Sequence, residues 1–308
     1  MMMRLMRGEN LARTEAANFL NALLSSAAKD PQVAAALALL AAKGETVEEL
    51  AGMADAMRDR AIPVRSRHTR FIDTAGTGSS TAKTFNISTA AAFVIAGAGI
   101  PVAKHGSRAA TSLCGSADVL EALGVNTVCA PQTVERCLNE HGICFMFAPI
   151  FHRATARLGV WHASLLERVA AALVLLGIKQ AWVVHGADGL DEVTITGETF
   201  VAACSARTGV ETFAISPKDF GLERRSLDGR HAGGATENAR LIRAILQGKK
   251  NGDFVAARDL VIINAAAALY LAGVATDLRQ AAGLAHESID SGQAASKLDA
   301  LIRETNRS

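Results

Sequence analysis

The sequence predicts an α/β protein in two parts: a small N-terminal all-helical domain, and a larger α/β domain with a mostly parallel central sheet flanked by helices. Three observations carry this. Residues 10–60 contain only segments whose apolar residues recur at helical spacing. From Phe71 onward, short β-rich runs alternate with helical ones, which is the texture of a parallel sheet with crossover helices. The chain has 308 residues, half of them hydrophobic and a fifth charged, so it can bury a large core.

The first helical segments are LARTEAANFLNALL, DPQVAAALALLAAKG and TVEELAGMADAMRD. Asp30 before Pro31 marks a helix start, Gly44 a stop, and Thr46 with Glu49 a capping box. The polar stretch AIPVRSRHTR is a linker, which puts the boundary of the helical domain at residues 1–68 and gives 69–308 to the α/β domain. FIDTA then reads as a strand ending at Gly76, TFNISTAAAFVIAGAG as a helix, and IPVAK as a strand ending at the glycine of KHG. SADVLEALGV and PQTVERCLNEH read as helices, ICFMFAP and QAWVVHG as buried strands. The C-terminal third returns to helices, including ATENARLIRAILQ and the apolar run from Leu260 to Ala275. Asn264 interrupts that run, and its length falls short of the roughly 18 apolar residues of a membrane span, so it reads as a buried core helix.

In such a sheet, ligands sit at the C-terminal ends of the strands. Three loops fall there. The first, GTGSSTAKTFNIST, follows a strand and opens a helix. Gly76 and Gly78 let the backbone approach an anion, the helix N-terminus supplies N–H groups, and Ser79, Ser80, Thr81, Thr84, Ser88 and Thr89 add hydroxyls. A strand–helix turn with a serine cap would use the same residues. The density of hydroxyls and Asn86 favour a phosphate cradle, although it is neither a Walker loop nor a dinucleotide fingerprint. The second loop, KHGSRAATSLCGSADVLEALG, places up to three positive charges, Lys104, His105 and Arg108, at a strand end, with Ser112, Gly115 and Ser116 leading into a helix. The third, HGADGLDEVT, carries adjacent Asp191 and Glu192. Alone that pair reads as a solvated acidic turn. Beside two anion loops it suits Mg²⁺, which takes one or two carboxylates together with phosphate oxygens.

Composition excludes several classes. The formal net charge is +2, without the basic excess of a nucleic-acid binder; short runs such as Arg224, Arg225 and Arg230, or Lys249 and Lys250, read as solvated surface. Five cysteines with no CxxC pair read as reduced thiols of a cytoplasmic protein. The N-terminus MMMRLMRGEN has no sustained apolar core, so no signal peptide and no membrane association are expected. No nucleophilic triad or histidine ligand cluster emerges.

Taken in order, GTG with TFNIST, KHGxR with GSADVLEALG, FAPxxH and DGLDE resemble the signatures of the anthranilate phosphoribosyltransferase family, as do KGETVEELAGMADAMR, ATENARLIRAILQG and RDLVIINAAAALYLAG around them. The resemblance spans nearly the whole chain. It implies a helical domain that mediates homodimerisation, completed by helices near residues 161–177, and transfer of phosphoribose from phosphoribosyl pyrophosphate to anthranilate or a related aromatic amine. By position, Gly76, Thr77, Gly78, Ser79, Ser80, Thr84, Asn86, Ser88 and Thr89 would hold the donor with Lys104 and Ser116. Ser88, Asp191 and Glu192 would serve Mg²⁺, and Gly76, His105 and Ser107 would lie toward the acceptor.

Three departures mark this chain. The family's GTGGDG reads GTGSST here, so Ser79 replaces a glycine and Ser80 an acid. Ser107 stands where the family has asparagine. The segment after FAPxxH, which in the family carries an acceptor-binding arginine and a GPLxNP hinge, is shorter by a few tens of residues; Arg153 and Arg157 are its candidate replacements. By that resemblance all three lie at or beside the acceptor and active site, which raises the expectation that the fold and donor binding are retained while anthranilate transfer is weakened, altered or lost. The alternatives are a nucleoside phosphorylase of the same fold, and a non-catalytic relative that binds nucleic acid or a protein partner.

Overall fold

The computed structural model describes residues 1–76, 84–109, 113–147, 156–159, 162–227, 233–252 and 254–307, with the backbone alone at 156–159. The helical region opens with α1 (Met2–Met6), which the sequence reading passed over, then α2 (Arg13–Leu23), α3 (Asp30–Lys43) and α4 (Val47–Arg60). The short α1 is held because Leu5 is buried in the cluster of Leu11, Ala16, Phe19, Ala36 and Leu40, and because Arg4 pairs with Glu15 at 2.6 Å. The expected capping box forms: Thr46 Oγ1 accepts from Glu49 N at 3.2 Å, and Glu49 accepts from Thr46 N at 2.8 Å. Glu49 is fully buried and also takes Leu11 N–H and the Lys43 ammonium, each at 2.8 Å. Burial alone would raise its carboxyl pKa. Lys43 and the two backbone donors outweigh that and hold it below the ordinary value.

The α/β region continues with β1 (Asp73–Gly76), α5 (Ile87–Gly97), β2 (Val102–Gly106), α6 (Ser116–Leu123), α7 (Pro131–Arg136), β3 (Ile143–Phe147), β4 (Ala156–Gly159) and α8 (Leu166–Leu175). Then come β5 (Gln180–Gly186), β6 (Thr199–Ser205), β7 (Gly209–Ile215), α9 (Ala235–Leu246), α10 (Phe254–Leu271), α11 (Leu278–Asp290) and α12 (Gln293–Thr305). A five-stranded sheet runs β1-β4-β5-β6-β7, and the parallel pair β2-β3 joins it through a bridge between Ile72 and Val102. Strands β3, β2, β1, β4 and β5 are therefore parallel in that order, as expected. The mostly parallel sheet carries an unforeseen antiparallel edge, β6 and β7.

Strand order 3-2-1-4-5 reverses direction at β1, because the chain first builds outward through β2 and β3 and then returns to the other side with β4. The side-chain alternation of β5 shows that both faces are covered. Trp182 and Val184 enter the main core, while Ala181 and Val183 join Leu166 and Ala170 of α8 in a second cluster. α5 belongs to the main core and α8 to the opposite face. The gap between β1 and β4 is thus a topological switch point, where the C-terminal strand ends open a crevice.

α10 fills the centre of the main core. Ala265–Ala268 are all fully buried, and they let the helix lie close to Ala90, Ala91 and Ala92 of α5. It is long and apolar enough to cross a membrane by length and composition, and here it is a core helix, 78% buried over that window. α8 also touches the helical region: Arg58 donates to Leu176 O at 2.8 Å, and Arg168 to Glu45 O at 3.3 Å.

Candidate active site

The three loops leave β1, β2 and β5 on one edge of the sheet. β1 and β2 are locked together by Lys104. Its ammonium is buried, donates to Thr74 O, and reaches His105 O at 3.3 Å and Ser88 Oγ at 3.4 Å. One cation therefore ties β1, the end of β2 and the first turn of α5. Thr74 Oγ1 adds a bond to Ser88 O at 3.0 Å.

Gly76 ends β1 directly under the third loop. A Cβ at this position would lie 2.5 Å from Asp191 Oδ2, so the absence of a side chain is what lets that carboxylate lie across the strand end. The loop carrying Asp191 is built by another acid. Asp188 accepts from Leu190 N at 3.3 Å, Thr194 Oγ1 at 2.6 Å and Thr196 Oγ1 at 2.7 Å. Glu192 is 7% exposed and is followed by Val193, whose N–H and C=O both pair with the Asn264 side chain. Leaving those two backbone groups unpaired in a dry core would cost about 1–3 kcal/mol each.

The second loop is closed by glycines. A Cβ on Gly106 would meet Ser116 Cβ at 2.7 Å, and one on Gly115 would meet Ala109 N at 2.4 Å. Ser116 at the start of α6 is thereby pressed against the KHG turn. His105 is turned by Asp73, whose carboxylate takes the His105 N–H at 3.2 Å and faces its Nδ1 at 3.4 Å. Asp73 is 5% exposed, and sequence reading gave it no role. Its signal was a charged residue inside a strand, a place where aspartate is disfavoured.

Arg108 corrects the expectation of three positive charges at this strand end. It is committed to α6, with Glu121 at 2.7 Å and Asp118 at 3.2 Å. Ser107 Oγ bonds to Arg108 O at 3.1 Å. Asp118 in turn accepts from Ala109 N and Gly115 N, so the ion pair shapes the loop.

The N-cap of α5 is Asn86, and its side chain makes no cap bond among the described residues. It donates instead to Cys114 O at 3.1 Å in the second loop and accepts from Asn238 of α9 at 3.1 Å. Asn86 thus couples the two loops. Asn238 is a further residue that sequence reading missed; its signal was a polar residue on the buried stripe beside Ala239 and Ile242. The Thr89 hydroxyl is buried with no hydrogen-bond partner among the described residues, and Thr84 lies half-buried at the loop's end. Thr77, Gly78, Ser79 and Ser80 lie outside the described residues, as do His152 and Arg153; the side chain of Arg157 does too.

Buried thiols add no nucleophile. Burial pushes Cys137 up to about 12, and Cys114, Cys129, Cys144 and Cys204 upward for the same reason.

The glycosyl transferase family a/b domain matches residues 68–158 and 155–295, and the family's helical bundle domain matches residues 2–61. The chain belongs to this glycosyl transferase family. The anthranilate phosphoribosyltransferase of Moorella thermoacetica is 44% identical over 329 aligned positions, covering 97% of this chain and 96% of the relative. That of Anaeromyxobacter dehalogenans is 46% identical over 333 positions, covering 98% and 97%. Among solved structures, the Thermus thermophilus anthranilate phosphoribosyltransferase superposes with a TM-score of 0.89 at 34% identity, covering 99% of both chains. The Saccharomyces cerevisiae enzyme, in complex with PRPP and Mg, gives 0.88 at 26% identity, covering 99% of this chain and 96% of that one. Both sequence alignments run longer than the 308 residues of this family member, so its relatives carry positions with no counterpart here. The α/β match divides at residues 155–158, the region where the sequence reading finds a segment missing.

Proposed function

We propose that this chain transfers the phosphoribosyl group of phosphoribosyl pyrophosphate to the amino group of anthranilate, giving N-phosphoribosylanthranilate and pyrophosphate, a step of tryptophan biosynthesis. The observation that carries the reading is the Asp191 carboxylate lying over Gly76 at the end of β1, the strand that Lys104 ties to Ser88, in a member of this family. Ser88, Asp191 and Glu192 are hard oxygen donors, the set that suits Mg²⁺. When bound, Mg²⁺ would neutralise charge on the departing pyrophosphate.

The residues of the chain do the rest. The start of α5, with Thr84, Asn86 and Ser88, and the start of α6, with Ser116, offer donors to phosphate oxygens; Thr77, Gly78, Ser79, Ser80 and Thr89 complete the donor set by position in the sequence. His105, oriented by Asp73, and Ser107 face the acceptor side with Gly76. The amine nitrogen forms a bond to the ribose anomeric carbon as the carbon–oxygen bond to pyrophosphate breaks. Pyrophosphate leaves with the electron pair, and the nitrogen loses its proton to solvent. An aromatic amine is neutral at pH 7, so positioning and electrostatics suffice and no base or nucleophilic triad is needed.

The shortfall near residues 155–158 favours a second reading of the same site, in which donor binding persists and the acceptor is a different aromatic amine. The test mixes purified protein, phosphoribosyl pyrophosphate, Mg²⁺ and anthranilate and follows the loss of anthranilate fluorescence. Turnover supports the first reading. No turnover with calorimetric donor binding supports the second, and no donor binding removes both. We also read the chain as a cytoplasmic homodimer. Its five thiols are free, and Met3, Met6 and Leu37 expose apolar surface on the helical region. Light scattering at a monomeric mass would refute the dimer.

A further inference from the structure

Asn264 sits in the middle of α10, in a run otherwise made of leucine, isoleucine, valine and alanine, and it is 0% exposed. A buried amide in such a helix is costly unless it is fully bonded. Its bonds do not serve the helix alone. Oδ1 accepts from Val193 N at 2.9 Å, and Nδ2 donates to Val193 O at 2.8 Å and to Leu260 O at 2.8 Å. Two of the three close a ring on the backbone of one residue, seventy-one positions away, the residue that follows Glu192.

The other side of the same loop is fixed independently. Asp188 gathers Leu190 N and the hydroxyls of Thr194 and Thr196, and Gly186 N donates to Leu190 O at 2.8 Å. Asp191 and Glu192 lie between these two clamps. The Asp188 clamp is internal to the loop, so it sets the loop's shape. The Asn264 clamp ties that shape to the central core helix, so it sets where the loop stands relative to β1 and α5.

We infer that Asn264 is a positioning residue for the Asp191–Glu192 carboxylate pair. It fixes the plane of the peptides around Val193 and thereby the direction in which both acids project. The inference rests on the reading of that pair as a Mg²⁺ site for the phosphoribosyl donor. It goes beyond that reading by assigning the precision of the site to an amide in the core.

The test uses the full-length chain with Asn264→Leu, which keeps the volume and removes all three bonds, and with Asn264→Ser, which leaves a hydroxyl and room for a bridging water. Ser288→Ala is the comparator: Ser288 is also buried and bonds to Val94 O at 2.7 Å, away from the loop. Electron paramagnetic resonance of free Mn²⁺ in the presence of phosphoribosyl pyrophosphate reads metal affinity directly, and urea unfolding reads stability. Asn264→Leu is expected to weaken Mn²⁺ binding about tenfold and Asn264→Ser about threefold. The KM for the aromatic acceptor should stay within about twofold, and excess metal should restore the rate. Ser288→Ala should lose stability while binding Mn²⁺ like the parent. A folded Asn264→Leu that binds Mn²⁺ as the parent does overturns the inference, as does a Ser288→Ala that weakens the metal equally. If Asn264→Leu does not fold, parent-like affinity in Asn264→Ser overturns it instead. A parent that binds no Mn²⁺ with the donor overturns the metal reading itself.

Discussion

Adding one methyl group at Gly76 separates the stability of this fold from its chemistry. The new Cβ would stand 2.5 Å from Asp191 Oδ2 and 3.2 Å from its Cγ, while ordinary contact begins near 3.4 Å, so the carboxylate must retreat by about 0.9 Å. Gly76 ends a strand, and its backbone is not among the positive-φ glycines, so alanine meets no backbone strain there. The atom that must give way is the far end of a flexible side chain, which makes the substitution cheap for folding. For the site it is expensive, because a misplacement of about 1 Å can cost about 10²-fold in rate, or about 2.7 kcal/mol of barrier. Gly76→Ala should therefore unfold in urea close to the parent while kcat/KM for the donor falls by about two orders of magnitude. Calorimetric titration with Mg²⁺ and phosphoribosyl pyrophosphate should show the loss as weaker metal-dependent binding. The decisive control is Asp191→Ala: in that background the added methyl has nothing to displace, and Gly76→Ala should be silent, giving strong non-additivity. Full activity in Gly76→Ala, or equal losses with and without Asp191, would refute the argument.

Three other expectations follow from the described contacts. Glu49→Gln removes the carboxylate partner of the Lys43 ammonium, which keeps only its bonds to Asn10 Oδ1 and Gly44 O, and should cost about 3 kcal/mol at pH 7. Because Lys43 and backbone donors lower the folded pKa of Glu49, its contribution is present above the unfolded value and lost as pH falls through the folded one, so the parent and variant unfolding curves should converge as the pH falls below the ordinary carboxylate range. Arg108→Ala should change the donor KM by no more than about twofold, since its charge is spent on Asp118 and Glu121 and exposed pairs contribute little; a tenfold rise in steady-state KM would contradict this. In the native protein at pH 7.5, a thiol reagent such as DTNB should label the five cysteines slowly, and all five promptly in denaturant, because burial keeps them protonated.

Much of the fold was legible because its elements announce themselves locally. Helical spacing located α2 through α4, and the glycine-terminated strands located β1, β2 and β5. What escaped had weak local signals. β4 is four residues long, β6 consists largely of small residues, and β7 is mostly exposed, so none of them shows clear alternation. The candidate site divides in the same way. That three loops converge followed from strand polarity alone. Which side chains hold them did not, because Asn264 meets Val193 and Asn238 meets Asn86 across long stretches of chain. The sequence reading used Asn264 only as an argument against a membrane span. Its contact with Val193 exists only once α10 packs under the third loop. Arg108 failed for the complementary reason: a cation in a loop counts toward a site only if no carboxylate of the next helix claims it.

That last point shapes the electrostatics of the whole edge. Among the described residues at the strand ends, Lys104 lies inside the framework, bonded to Thr74 O and Ser88 Oγ, and Arg108 is neutralised by α6. Two adjacent carboxylates, Asp191 and Glu192, stand at the same edge. A donor that carries a phosphate and a pyrophosphate would meet repulsion from that pair in a setting of reduced dielectric, where such terms are larger than in water. A divalent cation between them turns the repulsion into two attractions. Donor binding should accordingly depend on metal far more than on ionic strength. Removing divalent cations with a chelator should weaken phosphoribosyl pyrophosphate binding by at least about tenfold, whereas raising salt from 0.05 to 0.2 M, which shortens the Debye length about twofold, should weaken it only about twofold. Calorimetry with and without the chelator decides it. Unchanged affinity in the metal-free protein would mean that backbone N–H groups and Lys104 carry the anion alone, and that the two acids serve the loop rather than the ligand.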